Sequence, residues 1–319
     1  MFDVGFFKEN SFKTPTITVG NLSVGGTGKT PQIEYLIRLL KDKYLLAVLS
    51  RGYKRDTKKF VLLNTTSTPA EVGDEPLQYF NKFKNITVAV DTDRAHGIRT
   101  LITRKNPAVI LLDDAYQHRK VKSSFYILLT KYKDLFVDDF LLPTGNLRER
   151  GAGAKRANAI VVTKCPENIS ISEMEKIQKK LQQFKKPLFF SFISYADKTK
   201  GSNSILTNNL KDYDVLLITG IANPTPLLKH LKSLNVRFEH QEYADHHHFS
   251  KKEIEQIQQK FSKMNIENRL LLTTEKDYTR LYNRLNELNY LAIETQFIGN
   301  QKQDFDNIIT SHIQDFSEA

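Results

Sequence analysis

The sequence predicts an α/β fold with a doubly wound, mostly parallel sheet and a second, smaller α/β domain. Three observations support this prediction. Short β-branched runs alternate with helical patterns, and several of the runs are apolar throughout. Strands covered by helices on both faces have this composition, because neither face meets water. The first run also passes through a glycine-rich turn into an amphipathic helix, which is a typical strand-to-helix junction of such sheets.

The length of 319 residues allows about two domains at roughly 150 residues each. A polar connection that includes Gly201-Ser202-Asn203-Ser204 interrupts the strand–helix pattern. We therefore expect a first domain over residues 1–190 and a second over 191–319. The terminal segment Lys302–Phe316 is predicted to be helical and could pack back on the first domain.

The elements of the first domain follow from their periodicity. The predicted strands are Thr16–Gly20, Leu45–Leu49, Phe60–Leu63, Ile86–Val90, Val109–Leu112, Phe125–Leu129 and Ala159–Thr163. The predicted helices between them are Gln32–Lys43, Asp74–Phe83, Asp93–Arg104 and Ser172–Phe184. The first helix carries Ile33, Leu36, Ile37 and Leu40 on one stripe, so this face should be buried.

The second domain repeats the same alternation on a smaller scale. Its predicted strands are Val215–Thr219, Arg237–Tyr243, Leu270–Thr274 and Leu291–Thr295. Its predicted helices are Pro226–Leu234 and Lys251–Met264. This pattern predicts a second parallel sheet with helical crossovers.

The strongest motif is Ser23-Val24-Gly25-Gly26-Thr27-Gly28-Lys29-Thr30, which joins the first strand to the first helix. Glycines allow backbone amides to point at phosphate oxygens, and the helix N-terminus adds positive partial charge. Lys29 is then expected to reach the β- and γ-phosphates, and the Thr30 hydroxyl to ligate Mg²⁺. The fold is therefore predicted to be P-loop NTPase-like, although Ser23 stands where the first glycine is usual.

Two adjacent acids, Asp113 and Asp114, end the apolar run Val109–Leu112. Open α/β sheets bind ligands at the carboxyl ends of their strands, so these acids are predicted to serve Mg²⁺. In an extended strand the two carboxylates would point to opposite faces of the sheet. We therefore expect one acid to hold the metal and the other to contact a neighbouring residue.

An alternative interpretation is a GTPase or a partitioning ATPase. Guanine-specific enzymes usually carry an Asn/Thr-Lys-x-Asp run after a late strand. The matching place reads Thr163-Lys164-Cys165-Pro166, with proline where the aspartate is needed. ATP is therefore the favoured nucleotide.

Several polar clusters have both a structural and a functional interpretation. Acids begin a helix at Asp74-Glu75, and a run of arginines lies in a loop at Arg148-Glu149-Arg150, where a guanidinium could clamp phosphate. Asp245-His246-His247-His248 suggests a metal site or a general base, and no further cysteine or spaced ligand supports zinc. Helix caps, surface ion pairs and a solvated loop explain these clusters equally well when each is taken alone.

The formal net charge of +11 favours an anionic partner, whether nucleic acid, anionic lipid or a phosphorylated substrate. Neither a recognition helix nor zinc-finger spacing supports nucleic-acid binding. The single cysteine, Cys165, excludes an internal disulfide framework and fits a reducing compartment. Neither a transmembrane run nor a signal peptide is present in the sequence, so a cytoplasmic protein is expected.

Taken together, the motifs resemble those of the lipid A disaccharide 4′-kinases, also called tetraacyldisaccharide 4′-kinases. The matching stretches run in order over most of the chain, and the serine-first P-loop is itself typical of this family. They are Val19–Pro31, Ser50–Tyr53, Gly73–Pro76, Asp91–Arg94, Asp113–His118, Leu142–Glu149, Gly220–Pro224, Ala244–His247 and Thr274–Asp277. Members of this family usually have glycine after the two aspartates, and this sequence has Ala115 at that position.

The resemblance implies ATP- and Mg²⁺-dependent phosphorylation of the 4′-hydroxyl of a tetraacylated glucosamine disaccharide 1-phosphate. It implies that Asp74 is the catalytic base, assisted by His246 from the second domain. Lys29 and Asp114 complete the catalytic set, and residues 23–30 hold the nucleotide. Thr30, Asp113 and Asp114 are the implied metal ligands, and the implied substrate and supporting residues are Glu75, Arg94, Gln117, His118, Arg148 and Glu149.

The resemblance also implies a peripheral enzyme on the cytoplasmic face of the inner membrane, with a lipid substrate and no obligate protein partner or nucleic acid. Family members usually begin with an apolar or amphipathic anchoring helix. Residues Met1–Phe7 resemble the end of that segment. The positive charge would add attraction to anionic lipid, at roughly 1 kcal/mol for each Lys or Arg near the surface.

Overall fold

The computed structural model describes residues 9–53 and 55–318, so the predicted anchoring segment Met1–Phe7 lies outside the described residues. The strands are β1 Thr16–Asn21, β2 Leu46–Ser50, β3 Val61–Leu62, β4 Ile86–Val90, β5 Val109–Asp113, β6 Phe125–Lys131, β7 Ala159–Thr163, β8 Leu188–Tyr195, β9 Lys200–Gly201, β10 Asp214–Thr219, β11 Arg237–Glu242, β12 Arg269–Thr274, β13 Leu288–Leu291 and β14 Ile293–Phe297. The helices are α1 Lys29–Leu40, α2 Pro69–Val72, α3 Asp74–Lys82, α4 Arg94–Lys105, α5 Ile171–Leu181, α6 Thr225–Ser233, α7 Lys251–Ser262, α8 Glu275–Leu281 and α9 Gln301–Glu318. Within the described ranges, no helix is both long and apolar enough to span a bilayer.

The chain divides into two units, each with its own sheet. The larger unit contains residues through Ser194 and again from Thr295 onward, and the smaller unit is Tyr195–Glu294. The predicted boundary at 190 falls inside β8, a strand that the sequence pattern did not indicate. At the far end of the predicted second domain, 191–319, the residues from Thr295 onward group with the larger unit, and the predicted packing of Lys302–Phe316 on the first domain allowed for this. Residues 295–318 supply Phe297 and Phe305 to the core of the larger unit, so burial of these side chains places them there.

The larger unit has a nine-stranded sheet in the order β14-β8-β7-β6-β1-β5-β2-β4-β3. The run from β8 to β4 is parallel, and the two-residue strand β3 pairs antiparallel with β4 at the edge. The sheet is thus mostly parallel, as predicted. Continuous apolar strands such as β5 are buried along their whole length, because helices cover both faces.

Helix α1 shows how the sequence pattern sets the packing. The stripe Ile33, Leu36, Ile37 and Leu40 is fully buried against the sheet, which confirms the predicted face. The helix begins at Lys29, three residues before the predicted start, with Pro31 in its first turn. Proline is tolerated there because the amides of the first turn have no partner within the helix.

The smaller unit has a five-stranded sheet in the order β11-β10-β12-β13-β9, parallel except for the edge pairing of β9 with β13. The single strand predicted at Leu291–Thr295 is wrong. The chain instead leaves the smaller sheet at Leu291 and forms β14 of the larger sheet from Ile293. Helix α8 was also missed, and its first turn is capped by Thr274, whose hydroxyl accepts a hydrogen bond from the amide of Asp277.

Candidate active site

The carboxyl ends of β1, β2 and β5 lie side by side in the larger sheet and bring the predicted site residues together. Val19 of β1 is in register with Asp113 of β5, and Leu49 of β2 is in register with Leu112. The next residue of β2, Ser50, therefore donates a hydrogen bond from its hydroxyl to Oδ2 of Asp113 at 3.2 Å. Open α/β sheets bind ligands at this end of the strands.

The P-loop leaves β1 and enters α1 through two left-handed glycines. Gly25 and Gly28 have φ angles of +89° and +87°, a region that residues with a side chain rarely adopt. The amide of Val24 already donates to the carbonyl of Asn146 at 2.8 Å, and Ser23 forms a bridge with Leu147. The amides that follow, over residues 25–30, are thus the better candidates for phosphate.

The two strand-end acids do not alternate across the sheet as predicted. Asp113 is the last residue of β5, but Asp114 has a φ of +47°, so the chain has already left the extended conformation. Asp114 consequently turns toward the P-loop, where its Oδ1 lies 3.5 Å from Nζ of Lys29. Its Oδ1 also accepts a hydrogen bond from Nη2 of Arg148 at 3.2 Å.

The two acids differ in electrostatics because they differ in partners. Burial, followed by the charges of Asp114 and Glu75, raises the pKa of Asp113 to about 6. Burial also acts on Asp114, but Lys29 and Arg148 outweigh it and hold the pKa of Asp114 below its ordinary value. The surroundings therefore disfavour the ionised form of Asp113 and favour the ionised form of Asp114.

Mg²⁺ fits the donors gathered here. Thr30, Asp113 and Asp114 all offer oxygen, the atom this cation prefers, and burial with the charges of Asp114 and Glu75 raises the pKa of Asp113, so a bound cation would stabilise its ionised form. Over residues 9–53 and 55–318, no group of three or more His, Cys, Asp or Glu side chains forms a metal cage. Mg²⁺ does not need such a cage, because it usually takes one or two carboxylates and completes its shell with phosphate and water.

Tyr79 of α3 connects two of these predicted ligands. Its buried hydroxyl donates to Oδ2 of Asp113 at 3.3 Å and also hydrogen-bonds the side chain of Thr30. Burial and the Asp113 carboxylate raise the pKa of Tyr79 well above its ordinary value, so the hydroxyl remains a donor. Sequence reasoning missed this residue, since nothing in a single helix pattern distinguishes it from a core tyrosine.

Asn21, the last residue of β1, is a second residue that sequence reasoning did not single out. It is fully buried, and its Oδ1 accepts hydrogen bonds from Nζ of Lys29 at 3.3 Å and from Nη2 of Arg148. Its own Nδ2 donates to the carbonyl of Ser23 at 2.7 Å. Asn21 therefore fixes both cations relative to the P-loop.

Gln117 and Glu149 form a support behind Asn21. Nε2 of Gln117 donates to the Asn21 carbonyl at 2.7 Å and to Oε1 of Glu149 at 3.0 Å. Arg156 donates to both oxygens of Glu149 at 2.8 Å. The chain of contacts links the predicted substrate residues Gln117 and Glu149 to the strand end rather than leaving them as free side chains.

Arg94 and His118 lie deeper than an exposed phosphate clamp would. Arg94 is 1% exposed, donates to the Asp91 carbonyl at 2.6 Å and interacts electrostatically with Asp113. Burial, together with Arg94 and Arg51, lowers the pKa of His118 to about 4. His118 is therefore neutral near pH 7, and the positive charge behind the two strand-end acids comes from the arginines.

Asp74 and Glu75 begin α3, as the sequence predicted. Asp74 is 8% exposed, and the following turn of the same helix carries Tyr79. The positive end of the helix macrodipole favours ionised acids at this position. One short helix, α3, therefore carries both Asp74 and Tyr79, the residue that contacts Asp113.

Thr163 and Lys164, weighed above only as a guanine motif, contact the P-loop from the end of β7. The hydroxyl of Thr163 donates to the Thr27 carbonyl at 2.8 Å, and Nζ of Lys164 donates to the Gly26 carbonyl at 2.7 Å. Carbonyls held from this side leave the amides of the same turn free to face a ligand.

The histidine cluster belongs to the smaller unit, where its three members have different surroundings. His246 contacts Lys276 and Arg280, with Nε2 lying 3.0 Å from Nζ of Lys276. His247 pairs with Glu253 at 2.9 Å, while the side chain of His248 is exposed. The three histidines are therefore not arranged as a shared metal site, which agrees with the absence of metal clusters among the described residues.

Comparisons with known proteins agree on one family. The family model of the tetraacyldisaccharide-1-P 4′-kinases matches residues 1–314. A tetraacyldisaccharide 4′-kinase of Flavobacterium psychrophilum is 51% identical over 98% of this chain and 91% of its own length, and one of Bacteroides thetaiotaomicron is 44% identical over 99% and 88%. The crystal structure of an LpxK from Aquifex aeolicus in complex with ATP is similar with a TM-score of 0.76 and 29% identity, over 98% of this chain and 92% of that one.

Proposed function

The chain belongs to the tetraacyldisaccharide-1-P 4′-kinase family, and we propose that its P-loop site transfers the γ-phosphate of ATP to the 4′-hydroxyl of a tetraacylated glucosamine disaccharide 1-phosphate. The product is the 4′-phosphorylated lipid A precursor, lipid IVA. In this reaction the 4′-oxygen forms a bond to the γ-phosphorus while the bond to the bridging oxygen of ADP breaks. The proton of the hydroxyl passes to a base on the protein.

The nucleotide is held by residues 23–30. Amides of the turn that ends at Gly28 bind phosphate oxygens, and Lys29 neutralises the β- and γ-phosphates. Thr30, Asp113 and Asp114 would hold Mg²⁺, which supplies charge neutralisation at the transferred group. The ATP complex of the similar crystal structure supports ATP as the nucleotide.

Asp74 is the proposed base. Asp74 lies in the first turn of α3, and Tyr79 of the same helix contacts Asp113. This supports the role, because one helix then positions both the base and the hydroxyl that orients a predicted metal ligand. Phosphoryl transfer demands mainly correct positioning and neutralised charge, since the protein does little covalent chemistry. His246 of the smaller unit is proposed to assist Asp74.

The substrate is proposed to contact two basic side chains and several polar ones. These residues are Glu75, Arg94, Gln117, His118, Arg148 and Glu149. Arg148 suits the transferred phosphate, because it is partly exposed and already lies against Asp114 at 3.2 Å. Arg94 is buried, so we assign it charge compensation for Asp113 in addition to its predicted clamp role.

Acyl chains and a membrane surface are proposed to meet the loop between β6 and β7. Phe140, Leu141 and Leu142 are 70%, 40% and 53% exposed, and they border an open cavity of about 470 Å³ with Leu147. The same loop bonds to the P-loop through Asn146 and Val24, so apolar chains bound there would lie near the phosphates. The exposed apolar side chains and the net charge of +11 support peripheral binding to an anionic membrane surface, which we propose to be the cytoplasmic face of the inner membrane, as the family resemblance implies.

One observation carries the proposal: the P-loop lysine Lys29 lies 3.5 Å from Asp114 at the carboxyl edge of a parallel sheet. The test is transfer of γ-labelled phosphate from ATP or GTP to a panel of acceptors. The panel contains the tetraacylated disaccharide 1-phosphate, its deacylated form, and water. We expect labelling of the acylated acceptor with ATP, and labelling of none of the three would refute the proposal.

A further inference from the structure

Three separated motifs of the smaller unit meet around one histidine. The amide of His246 donates to the Gly220 carbonyl at 3.2 Å, and Oδ2 of Asp277 accepts from the Gly220 amide at 2.9 Å. The hydroxyl of Thr274 also donates to Oδ2 of Asp277, at 2.7 Å. The loop that carries His246 is thus tied through Gly220 to the first turn of α8.

The ring of His246 lies between two cationic side chains of that helix. Nζ of Lys276 is 3.0 Å from Nε2, and Nη2 of Arg280 is 3.2 Å from Nδ1. Lys276 and Arg280 are four residues apart, so they stand on the same face of α8. The imidazole is only 12% exposed, which leaves little room for the ring to rotate.

Both cationic neighbours are themselves anchored. Nη1 of Arg280 contacts Oδ1 of the fully buried Asp277 at 3.2 Å. Nζ of Lys276 lies 3.4 Å from Oδ1 of Asp245, the residue before the histidine. The two donors therefore have fixed positions relative to the ring instead of sampling many rotamers.

The donors around His246 are compatible with two positions of the proton on its ring. Arginine and charged lysine donate hydrogen bonds and cannot accept them, whereas a neutral imidazole accepts at one nitrogen only. With the proton on Nδ1 of His246, Nε2 accepts from Lys276. With the proton on Nε2, Nδ1 accepts from Arg280. Each tautomer therefore accepts one hydrogen bond while its own N–H faces the other cationic donor, and neither tautomer requires the ring to move.

We propose that Lys276 and Arg280 are positioning residues that hold the His246 ring and support both of its neutral tautomers. This inference rests on the proposed role of His246 as the partner of the base Asp74. A ring that exchanges its proton between nitrogens without rotating keeps its place while it assists proton transfer. The motif Thr274–Asp277 thereby gains a function, because its lysine is one of the two donors and its buried aspartate holds the other, Arg280.

The direct test reads the tautomer by long-range ¹H–¹⁵N NMR on the ¹⁵N-histidine-labelled full chain at neutral pH. Lys276→Met removes the donor at Nε2, so the population with the proton on Nε2 should rise at least twofold. Arg280→Met should shift the population the opposite way. His247, which pairs with Glu253, serves as a reference within the same spectrum and should not change.

An unchanged His246 tautomer ratio in Lys276→Met would overturn the proposal. Arg280→Met could fail to fold because it leaves Asp277 buried without its cation, and in that case the Lys276→Met result decides alone. Lys276→Arg, which restores a donor, should return the ratio toward that of the unsubstituted protein. Arg237→Gln removes an exposed arginine–aspartate pair of the same unit and is the matched control.

Kinetics separate this proposal from the proposed function. Lys276→Met should lower kcat about tenfold with the KM for ATP unchanged, and it should cause no further loss in a His246→Ala background, since coupled residues are non-additive. Full activity of His246→Ala would refute the role of His246 while the NMR result stands. An inactive His246→Ala together with an unaffected Lys276→Met would refute the positioning role alone.

Discussion

The hydroxyl of Tyr79 lies 3.3 Å from Oδ2 of Asp113, which connects helix α3 to the acid that ends strand β5. The same hydroxyl contacts Thr30 of the P-loop helix. A group of this kind fixes the orientation of predicted metal ligands without binding the metal. Loss of such supporting contacts typically costs about 10–100-fold in metal affinity or activity.

Tyr79→Phe should therefore weaken binding of MgATP by about tenfold or more while binding of ATP with EDTA changes little. Calorimetric titration of the two nucleotide forms measures this difference directly. Tyr126→Phe, which removes a tyrosine hydroxyl that bonds the Val121 carbonyl, is the control. Equal losses for ATP with and without Mg²⁺ would argue against the supporting role of Tyr79.

Lys29→Ala should abolish transfer of the γ-phosphate, because it removes the only P-loop side chain that bonds both Asn21 and Asp114 among the described residues. The measurement is labelled-phosphate transfer to the acylated disaccharide. Lys43→Ala, at an exposed position just after α1, should keep normal activity. Normal activity in Lys29→Ala would remove the P-loop from the mechanism.

Asp74→Ala should lower kcat by about 10²–10⁴-fold, the usual contribution of an oriented general base, while ATP still binds. Binding is measured by titration with a non-hydrolysable ATP analogue, and turnover by product formation. Asp56→Ala, an acid outside the α3 start, is the comparison. Unchanged turnover in Asp74→Ala would assign the base role to another residue.

The half-buried His118 predicts an acid-sensitive free energy of unfolding. Its pKa is about 4 in the folded chain against an ordinary value of 6.5, so the unfolded chain binds more protons between these values. The contribution of His118 is therefore present above pH 6.5 and is lost as the pH falls toward 4. Urea unfolding at several pH values should show a shallower loss over this window in His118→Gln, and an identical loss would show that His118 is not responsible.

The packing of α9 predicts a large and specific stability effect. Phe305 is fully buried and stacks on Phe297 with ring centroids 4.6 Å apart. Phe305→Ala should cost about 3–5 kcal/mol in the free energy of unfolding, the range for a buried phenylalanine. Phe140→Ala at a position 70% exposed should cost little. Equal costs would mean that α9 does not belong to the core of the larger unit.

Much of the larger unit could be predicted because its signals are local. The apolar run of β5, the stripe of α1 and the glycine-rich turn each lie within a few consecutive residues. The acids at 113 and 114 were placed correctly at a strand end, but their alternation was wrong. A left-handed residue such as Asp114 leaves no trace in a polar–apolar pattern.

The supports of the site could not be predicted, because they join residues far apart in sequence. Lys164 contacts Gly26, and Gln117 contacts Asn21, and only the folding of the sheet brings the members of each pair together. The strand β8 was missed since its end runs into a polar connection. A single sequence carries the period of each element, but not the order in which the strands pair.

The return of the chain to the larger sheet sets an order for biosynthesis. The strands of the smaller sheet end at Leu291, whereas the outermost strand of the larger sheet, β14, begins at Ile293 and α9 follows it. The ribosome therefore synthesises every strand of the smaller unit before it synthesises the residues that complete the larger unit. The apolar surface of the larger sheet that packs against Phe297 and Phe305 therefore stays exposed on the nascent chain until residues 295–318 have been synthesised.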